Sequence, residues 1–236
     1  MINKHIRTLT VVFDTDIRQS EIHLFRGAVL KALGDKANLL YHNHTGEHTF
    51  RYSYPLIQYK RIRGKAAMVC VNEGADVIGQ FLTNMPSNMV LGDRVVDVVI
   101  EKVIPAKVLV QTWQSIFHYH VSRWLPLNTQ NYIKYRSCEG MAEKVLLLES
   151  ILKGNLLSML KGLGIHLESE LLLKISDLSS EHVIYNKGIA MMSFNASFTS
   201  NLSIPNFMGI GKNASLGCGM VCEKIERDSE KKEIND

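Results

Sequence analysis

Three histidines stand close together in the segment LLYHNHTGEHTF, residues 39–50: His42, His44 and His48. Near neutral pH an imidazole can gain a proton and an imidazolium can lose one, so histidine suits acid–base catalysis, and the same side chain ligates zinc. Alternate residues of an extended segment face the same side, so His42 and His44 can approach one group together. Gly46 predicts a turn before His48. The spacing allows three interpretations: a proton-transfer site, a zinc site, or a polar loop without chemistry.

The zinc interpretation depends on the pattern His-x-His-x-x-x-His. Three protein ligands and an open position are typical of hydrolytic zinc enzymes. Beyond Glu47, no nearby cysteine or carboxylate pattern reinforces such a site. The four cysteines of the chain are scattered and form no C-x-x-C pair, which predicts reduced thiols and neither a zinc ribbon nor a redox motif. We therefore expect neither a metal nor another cofactor.

The elements that would position these histidines follow from the hydrophobic pattern of the amino-terminal half. Polar and apolar residues alternate over residues 5–13, which predicts a strand, and apolar residues at helical spacing then predict a helix that Gly34 ends. PLIQYKRIRGKAAMVCV predicts two strands around Gly64, and Asn72 can cap a second helix. RVVDVVIEKVI and KVLVQTWQSIF supply two long strand patterns. The order β, α, β, β, α, β indicates a ferredoxin-like fold.

The carboxyl-terminal half predicts a second domain made of one helix and an antiparallel sheet. Pro126 interrupts a thinning apolar pattern, and we predict an interdomain connection over residues 121–137. A helix with a leucine face follows over residues 138–161, and Gly162 marks its end. Strand patterns fill the rest, which indicates a similar or reduced ferredoxin-like domain. The predicted α+β architecture has two tandem ferredoxin-like (RRM-like) domains, over residues 1–120 and 138–226, and a polar, disordered tail over residues 227–236.

Composition and charge narrow the class of protein. The chain has 236 residues, of which 46% are hydrophobic and 21% charged, as in folded globular proteins. No window approaches the roughly 18 to 20 apolar residues of a membrane span, and the amino terminus lacks the pattern of a signal peptide. We expect a cytoplasmic protein that does not bind membranes. A net charge of +4 and a pI near 8.8 are compatible with a nucleic acid or another polyanion as partner.

A second stretch with chemical potential is GIGKNASLGCG, residues 209–219, which has four glycines and includes Lys212. Glycine tolerates positive φ and has no Cβ, so such a loop can bring backbone N–H groups against a phosphate or a flipped-out base. The spacing matches neither G-x-x-x-x-G-K-[ST] nor G-x-G-x-x-G. A glycine-rich hairpin between strands is the alternative interpretation.

This loop resembles a motif of the RAMP superfamily of CRISPR-associated RNA-binding proteins, G-h-G-x-x-x-x-x-G-h-G with a basic residue in the insert. All four glycines match, and Lys212 supplies the basic residue. FTSNLSIPNFMGIGKNASLGCG resembles the carboxyl-terminal motif of the CRISPR repeat-processing endoribonucleases, and FRYSYPLIQYKRIRGKAAMVCVNEGADVI resembles the first domain of their variant-b branch. The chain departs from the motif at Leu216, where an arginine often precedes the third glycine, and at Cys218, where an aromatic residue is common.

The resemblance implies a metal-independent endoribonuclease. Its members are expected to cut precursor CRISPR RNA within each repeat by attack of a ribose 2′-hydroxyl on the adjacent phosphate, which leaves 2′,3′-cyclic phosphate and 5′-hydroxyl ends. The family's catalytic histidine lies in the loop after the first helix, where His42 and His44 stand. His44 would be the principal acid or base and His42 its partner, and Tyr52 or Tyr54 would hold the phosphate or donate a proton.

The residues implied to bind RNA come from two parts of the chain. A cluster of cations in the first half would compensate the phosphate charge or bind the RNA backbone, and the glycine loop would contact the same strand. These residues are Lys60, Arg61, Arg63 and Lys65, followed by Gly209, Gly211, Lys212, Gly217 and Gly219. An alternative function is a RAMP-fold subunit that binds RNA without cutting it in a CRISPR effector complex. The resemblance is compatible with a homodimer and with contacts to effector subunits.

Overall fold

A computed structural model describes residues 5–34, 44–45, 49–50, 54–179, 181–186 and 188–224. The elements of the amino-terminal half are, in chain order, β1 (His5–Asp16), α1 (Ile22–Leu33), β2 (His44–Thr45), β3 (Thr49–Phe50), β4 (Ile57–Ile62), β5 (Lys65–Val71), α2 (Glu73–Thr83), β6 (Asn88–Leu91), β7 (Arg94–Asp97) and β8 (Ile100–Leu109). A single 3-10 turn precedes α1.

Four strands of this half form one antiparallel sheet in the order β4-β5-β1-β8. Numbered along the chain, this is the order 2-3-1-4 with α1 and α2 as connections, which confirms the predicted ferredoxin-like arrangement. Two short hairpins, β2-β3 and β6-β7, lie between these elements. The pattern RVVDVVIEKVI, predicted as one strand, is divided between β7 and β8 because β7 pairs with β6 and not with the sheet.

Both helices pack into one hydrophobic core on the same face of this sheet. The apolar residues of each helix recur at three or four positions, which puts them on one side. The buried helix residues are Ile22, Phe25, Val29, Leu33, Ile78 and Phe81. They share a core with strand residues such as Phe13 and Met68. Gly34 ends α1 with a φ of +52°, a conformation that favours glycine. The segment with the three histidines, residues 39–50, follows in the chain and is called the histidine segment below.

The carboxyl-terminal half repeats the strand order of the first. Its elements are β9 (Thr112–Trp124), α3 (Thr129–Ser137), α4 (Met141–Gly162), β10 (Leu173–Leu178), β11 (His182–Asn186), β12 (Ile189–Leu202) and β13 (Met220–Glu223). The sheet runs β10-β12-β9-β13, and β11 pairs with β12. If β9, β10, β12 and β13 are counted as strands one to four, this is again 2-3-1-4. Residues 203–219, described throughout, join the last two strands without a helix, as in the reduced ferredoxin-like domain predicted from the sequence.

The leucine face of α4 forms the core of this second domain. Leu148, Leu152 and Leu156 are fully buried against the sheet, where they meet Tyr119 and Phe198. Their spacing of four positions keeps them on one side of the helix. The predicted packing role of these leucines is therefore confirmed.

The two sheets divide near Val110 and not at residue 120 as the sequence predicts. β9 is one continuous strand of the second sheet, in which Val121 lies opposite both Ala196 and Val221. The connection predicted over residues 121–137 therefore contains the end of β9 and the helix α3. Strand patterns follow each other closely from β8 to β9, so the hydrophobic pattern does not reveal the boundary. The predicted tail, residues 227–236, lies outside the described residues.

The two domains pack directly against each other. The main core of the second domain includes Ile6 and Val71 of the first. A smaller cluster joins Val12 of β1 to Phe207 and Met220 of the second domain. In the part of the chain that the structure describes, no helix combines the length and the hydrophobicity that crossing a membrane requires.

Candidate functional site

The predicted catalytic histidines are followed in the chain by Tyr54. His42, His48 and Tyr52 lie outside the described residues, and His44 is described only through its backbone pairing with Phe50 in the β2-β3 hairpin. Paired residues of two antiparallel strands have Cα atoms at most about 5.5 Å apart, and four residues span at most about 14 Å. The Cα atom of His44 therefore lies within about 20 Å of the Cα atom of Tyr54.

Tyr54 connects this part of the chain to the glycine loop, residues 209–219. Its hydroxyl donates a hydrogen bond to the carbonyl oxygen of Gly209 at 2.8 Å and accepts one from Nε2 of Gln58 at 2.8 Å. Burial raises the pKa of Tyr54 above its usual value, so the phenol keeps its proton at neutral pH. Because the hydroxyl proton of Tyr54 is donated to the carbonyl oxygen of Gly209, Tyr54 is better suited to positioning the loop than to donating a proton to RNA.

The base of the glycine loop is a closed hairpin. Gly209 pairs with Met220 in an antiparallel bridge, and the backbone N–H of Ile210 donates to the carbonyl oxygen of Gly219 at 2.9 Å. Gly219 has a φ of +61°, and a Cβ there would overlap the carbonyl oxygen of Ile210. Only glycine fits this close approach of two backbones. The hairpin alternative considered for the sequence thus describes the base of the loop.

The loop exposes its tip and buries its remaining glycines. Gly211 and Lys212 are exposed, whereas Gly217 and Gly219 are buried. A Cβ on Gly211 would come within 2.8 Å of Oδ1 of Asn155, so the tip also lies close against α4. The part of the loop that can meet a ligand is therefore the tip around Lys212.

Lys60, predicted to contact RNA, is instead buried under the glycine loop. Its side chain has no exposed surface, and Nζ donates a hydrogen bond to the carbonyl oxygen of Ala214 at 2.7 Å. Burial lowers the pKa of Lys60 to about 7. The prediction of a surface cation at this position is corrected, because the second domain covers the face of β4 that carries the amine.

The other three predicted cations lie around the β4-β5 turn. Arg61 and Arg63 are exposed, and Nε of Arg61 donates to the carbonyl oxygen of Ile17 at 2.6 Å. Lys65 forms ion pairs with Asp14 and Glu101, and the hydrogen bond to Asp14 raises the pKa of Lys65. The structure therefore brings Tyr54, Lys60 and the glycine loop together and leaves these three cations at a separate place.

A cleft of about 1200 Å³ opens beside the loop tip. Its walls are Tyr54 and Pro55, the segment 125–128 after β9, the last turns of α4, and the tip itself. Lys161 and Lys212 line it together with neutral polar side chains, and none of the lining residues that the structure describes is acidic. Cations and neutral hydrogen-bonding groups without carboxylates suit the phosphodiester backbone of a nucleic acid.

Two family models match consecutive parts of the chain. The Cas6b N-terminal domain matches residues 4–108, and the Cas6b C-terminal domain matches residues 111–224. The chain belongs to the Cas6b family. The family resemblance found in the sequence is therefore confirmed. The two matches meet at the same place as β8 and β9.

Solved Cas6b structures share this fold over nearly the whole chain. One Cas6b crystal structure has a TM-score of 0.85 and 25% identity, covering 93% of this chain and 100% of that chain. A Cas6b described as a CRISPR RNA processing endoribonuclease has a TM-score of 0.72 and 24% identity, with the same shares of 93% and 100%. An uncharacterised protein of Methanocaldococcus jannaschii is 39% identical over 104 residues, which are 43% of this chain and 67% of that protein. The predicted α+β fold of two ferredoxin-like domains is confirmed.

Several residues that line the cleft beside the loop tip carry no signal in the sequence that marks them as functional. Lys161 stands in the last turn of α4, where the sequence indicates only a helix end with a favourable charge. Asn131 and Ser158 line the same cleft from α3 and α4. Their polarity carries no signal of its own, and only the packing of α4 beside the glycine loop brings them together.

Proposed function

We propose that this Cas6b protein cleaves precursor CRISPR RNA within its repeats without a metal ion. The ribose 2′-oxygen attacks the adjacent phosphorus, the bond from phosphorus to the 5′-oxygen breaks, and the products carry 2′,3′-cyclic phosphate and 5′-hydroxyl ends. A base must take the proton of the 2′-hydroxyl and an acid must supply one to the departing 5′-oxygen. Positive charge must stabilise the pentacoordinate phosphorus.

The observation that supports this proposal most directly is the cleft between Tyr54 and the tip of the glycine loop. It combines Lys161 and Lys212 with neutral side chains, and no carboxylate lies among its described lining residues, which suits a phosphodiester. The histidine segment joins the domain next to this cleft, since the Cα atom of His44 lies within about 20 Å of that of Tyr54.

The proton carriers in this proposal are the histidines of the segment that precedes Tyr54. His44 is the principal acid or base and His42 its partner, because histidine is the side chain best suited to carry a proton near neutral pH and alternate residues share one side wherever a segment is extended. Tyr52 is the proposed tyrosine contact to the scissile phosphate. Tyr54 keeps its proton on the glycine loop, so its part is to position that loop.

Cleavage of the cognate repeat RNA in excess EDTA tests this proposal. The parent protein should cut the RNA, and His44→Ala with His42→Ala should lower the cleavage rate by a factor of about 100 or more while RNA binding persists, as for loss of a general acid or base. His23→Ala, which changes an exposed histidine of α1, is the control and should cut at the parent rate. Binding of the repeat by the parent protein without any cutting would support the non-catalytic RAMP subunit instead.

A further inference from the structure

The glycine loop completes the exposed edge of the first domain's sheet. β4 is an edge strand, and an edge strand needs a partner for its backbone groups. The backbone N–H of Tyr59 donates to the carbonyl oxygen of Ser215 at 2.8 Å, and Tyr59 pairs with Leu216 in a parallel bridge. The return arm of the loop is thus anchored on the first domain.

Side chains of the first domain hold the other arm of the loop at Gly209. Oε1 of Gln58 accepts a hydrogen bond from the backbone N–H of Gly209 at 2.9 Å, and the hydroxyl of Tyr54 donates to its carbonyl oxygen at 2.8 Å. Nε2 of Gln58 donates to the Tyr54 hydroxyl, which links the two side chains. Both backbone groups of Gly209 are therefore satisfied by the domain that also carries the histidine segment.

Lys60 fixes the loop on the far side of the tip. Gln58 and Lys60 are alternate residues of β4, so both face the loop. Nζ of Lys60 donates to the carbonyl oxygen of Ala214 at 2.7 Å. A Cβ on Gly209 would lie 2.5 Å from Nζ of Lys60 and 2.9 Å from Oε1 of Gln58. Glycine at 209 is thus required for these contacts to form.

The polar character of these contacts points to a role beyond packing. Gln58 and Lys60 are both completely buried, and burying an amide or an amine is costly compared with an apolar side chain of the same size. Hydrogen bonds fix direction as well as distance, so they determine the geometry of the loop more closely than apolar contacts would. The residues between the two anchors, 210–213, include the exposed tip.

We propose that Tyr54, Gln58 and Lys60 are positioning residues that hold the glycine loop in the conformation in which its tip binds RNA. The three side chains connect the chain that leaves the histidine segment to the loop that lines the cleft. As positioning residues, they act on the RNA through the loop and not by contact with the reacting atoms. This inference rests on the proposed function for its ligand, the CRISPR repeat RNA.

The test compares Tyr54→Phe with Tyr119→Phe, because each change removes one hydroxyl that donates to a backbone carbonyl and accepts one N–H. The Tyr54 hydroxyl also lies 3.8 Å from the sulfur of Met208. Tyr119 donates to the carbonyl oxygen of Leu202 and accepts from the N–H of Ile204, inside the second domain. Amide hydrogen exchange in the free protein reports the loop, and binding of a repeat RNA with deoxyribose at the cut site reports affinity without cleavage. Single-turnover cleavage of the unmodified repeat at several protein concentrations then gives two separate values. The half-saturating protein concentration reports RNA binding, and the maximal rate reports cleavage.

We expect Tyr54→Phe to speed exchange of the amides of residues 209–216 and to raise the Kd for the deoxy repeat about tenfold, which corresponds to about 1.4 kcal/mol. The half-saturating concentration should rise equally, and the maximal cleavage rate should stay unchanged. Tyr119→Phe should alter none of these values. Lys60→Met, which also removes one contact to the loop, should behave like Tyr54→Phe and serves if that variant does not fold.

Three results would overturn the inference, and a fourth would separate it from the proposed function. If the loop amides of Tyr54→Phe and Lys60→Met exchange at the same rate as those of the parent, these side chains do not hold the loop. Faster loop exchange with an unchanged Kd would show that the held conformation is irrelevant to RNA. A fall in maximal rate at unchanged half-saturating concentration would make Tyr54 a catalytic group. A parent protein that binds but does not cut removes only the proposed cleavage, since exchange and Kd still report on the loop.

Discussion

Replacing Lys60 with methionine should change how the stability of the protein depends on pH. The amine of Lys60 is buried beneath the glycine loop, and burial lowers its pKa from 10.5 to about 7. Methionine has a similar length and no charge, so it fills the space without placing a cation there. Loss of the hydrogen bond to Ala214 lowers the free energy of unfolding. The pH-dependent part of the difference in this free energy between the parent and Lys60→Met reports the protonation of the Lys60 amine.

The direction in which stability changes with pH depends on how many protons the folded and unfolded states bind. Between pH 7 and 10.5 the unfolded chain keeps the lysine protonated while the folded protein has lost the proton. The unfolded state therefore binds more protons, and the stability of the parent protein rises with pH in this range. At about 1.4 kcal/mol per pKa unit, the parent should gain about 2 kcal/mol over Lys60→Met between pH 6 and 8.5.

Neighbouring groups do not disturb this comparison. The nearby thiols of Cys218 and Cys222 have pKa values raised by burial above their ordinary 9.0, so they stay largely neutral over this range. Urea unfolding of both proteins at several pH values, followed by tryptophan fluorescence, gives the difference in the free energy of unfolding. A constant difference from pH 6 to 8.5 would contradict this prediction, because Lys60 would then have the same pKa in the folded and unfolded states.

Three further predictions concern the glycine loop and its surroundings. Gly219→Ala should lower the free energy of unfolding by about 2 kcal/mol or more, because its φ is +61° and a Cβ would overlap the Ile210 carbonyl oxygen; urea midpoints measure this, and wild-type stability would contradict it. Gly154→Ala, with open space around a glycine inside α4, should instead raise the free energy of unfolding by about 1 kcal/mol, and a lower free energy of unfolding would contradict the helix assignment. Lys212→Ala should reduce the slope of log K for repeat RNA against log salt by about 0.7, the effect of one phosphate contact on a single strand; an unchanged slope would remove Lys212 from the interface.

The strand order of the first domain could be predicted because each element carries its own local signal. The alternation in β1, the helical spacing in α1 and the turn at Gly64 all depend on residues that are neighbours in the chain. The boundary between the domains has no such signal, since β8 and β9 are separated by two residues and both read as strands. Only the pairing of β9 with β12 shows to which sheet it belongs.

Lys60 shows why the candidate site was only partly predictable. Gln58 and Lys60 alternate with Ile57 and Tyr59, a pattern that normally puts the polar pair in solvent. The glycine loop covers that side of β4, so the polar pair is buried and bonds to the loop backbone. A contact between residues about 150 positions apart leaves no trace in local periodicity. The glycine spacing, by contrast, is local, so the sequence could single out residues 209–219 as a candidate.

Attack by a ribose 2′-hydroxyl without a metal ion can be tested with two repeat RNAs that differ in one oxygen atom. One is unmodified, and the other has deoxyribose at the nucleotide that would supply the attacking 2′-hydroxyl. In excess EDTA, the protein should cut the unmodified repeat to a fragment ending in 2′,3′-cyclic phosphate and bind the deoxy repeat equally well without cutting it. Cleavage of the deoxy repeat at the same position, or loss of cutting of the unmodified repeat on chelation that is restored by a divalent cation, would contradict it.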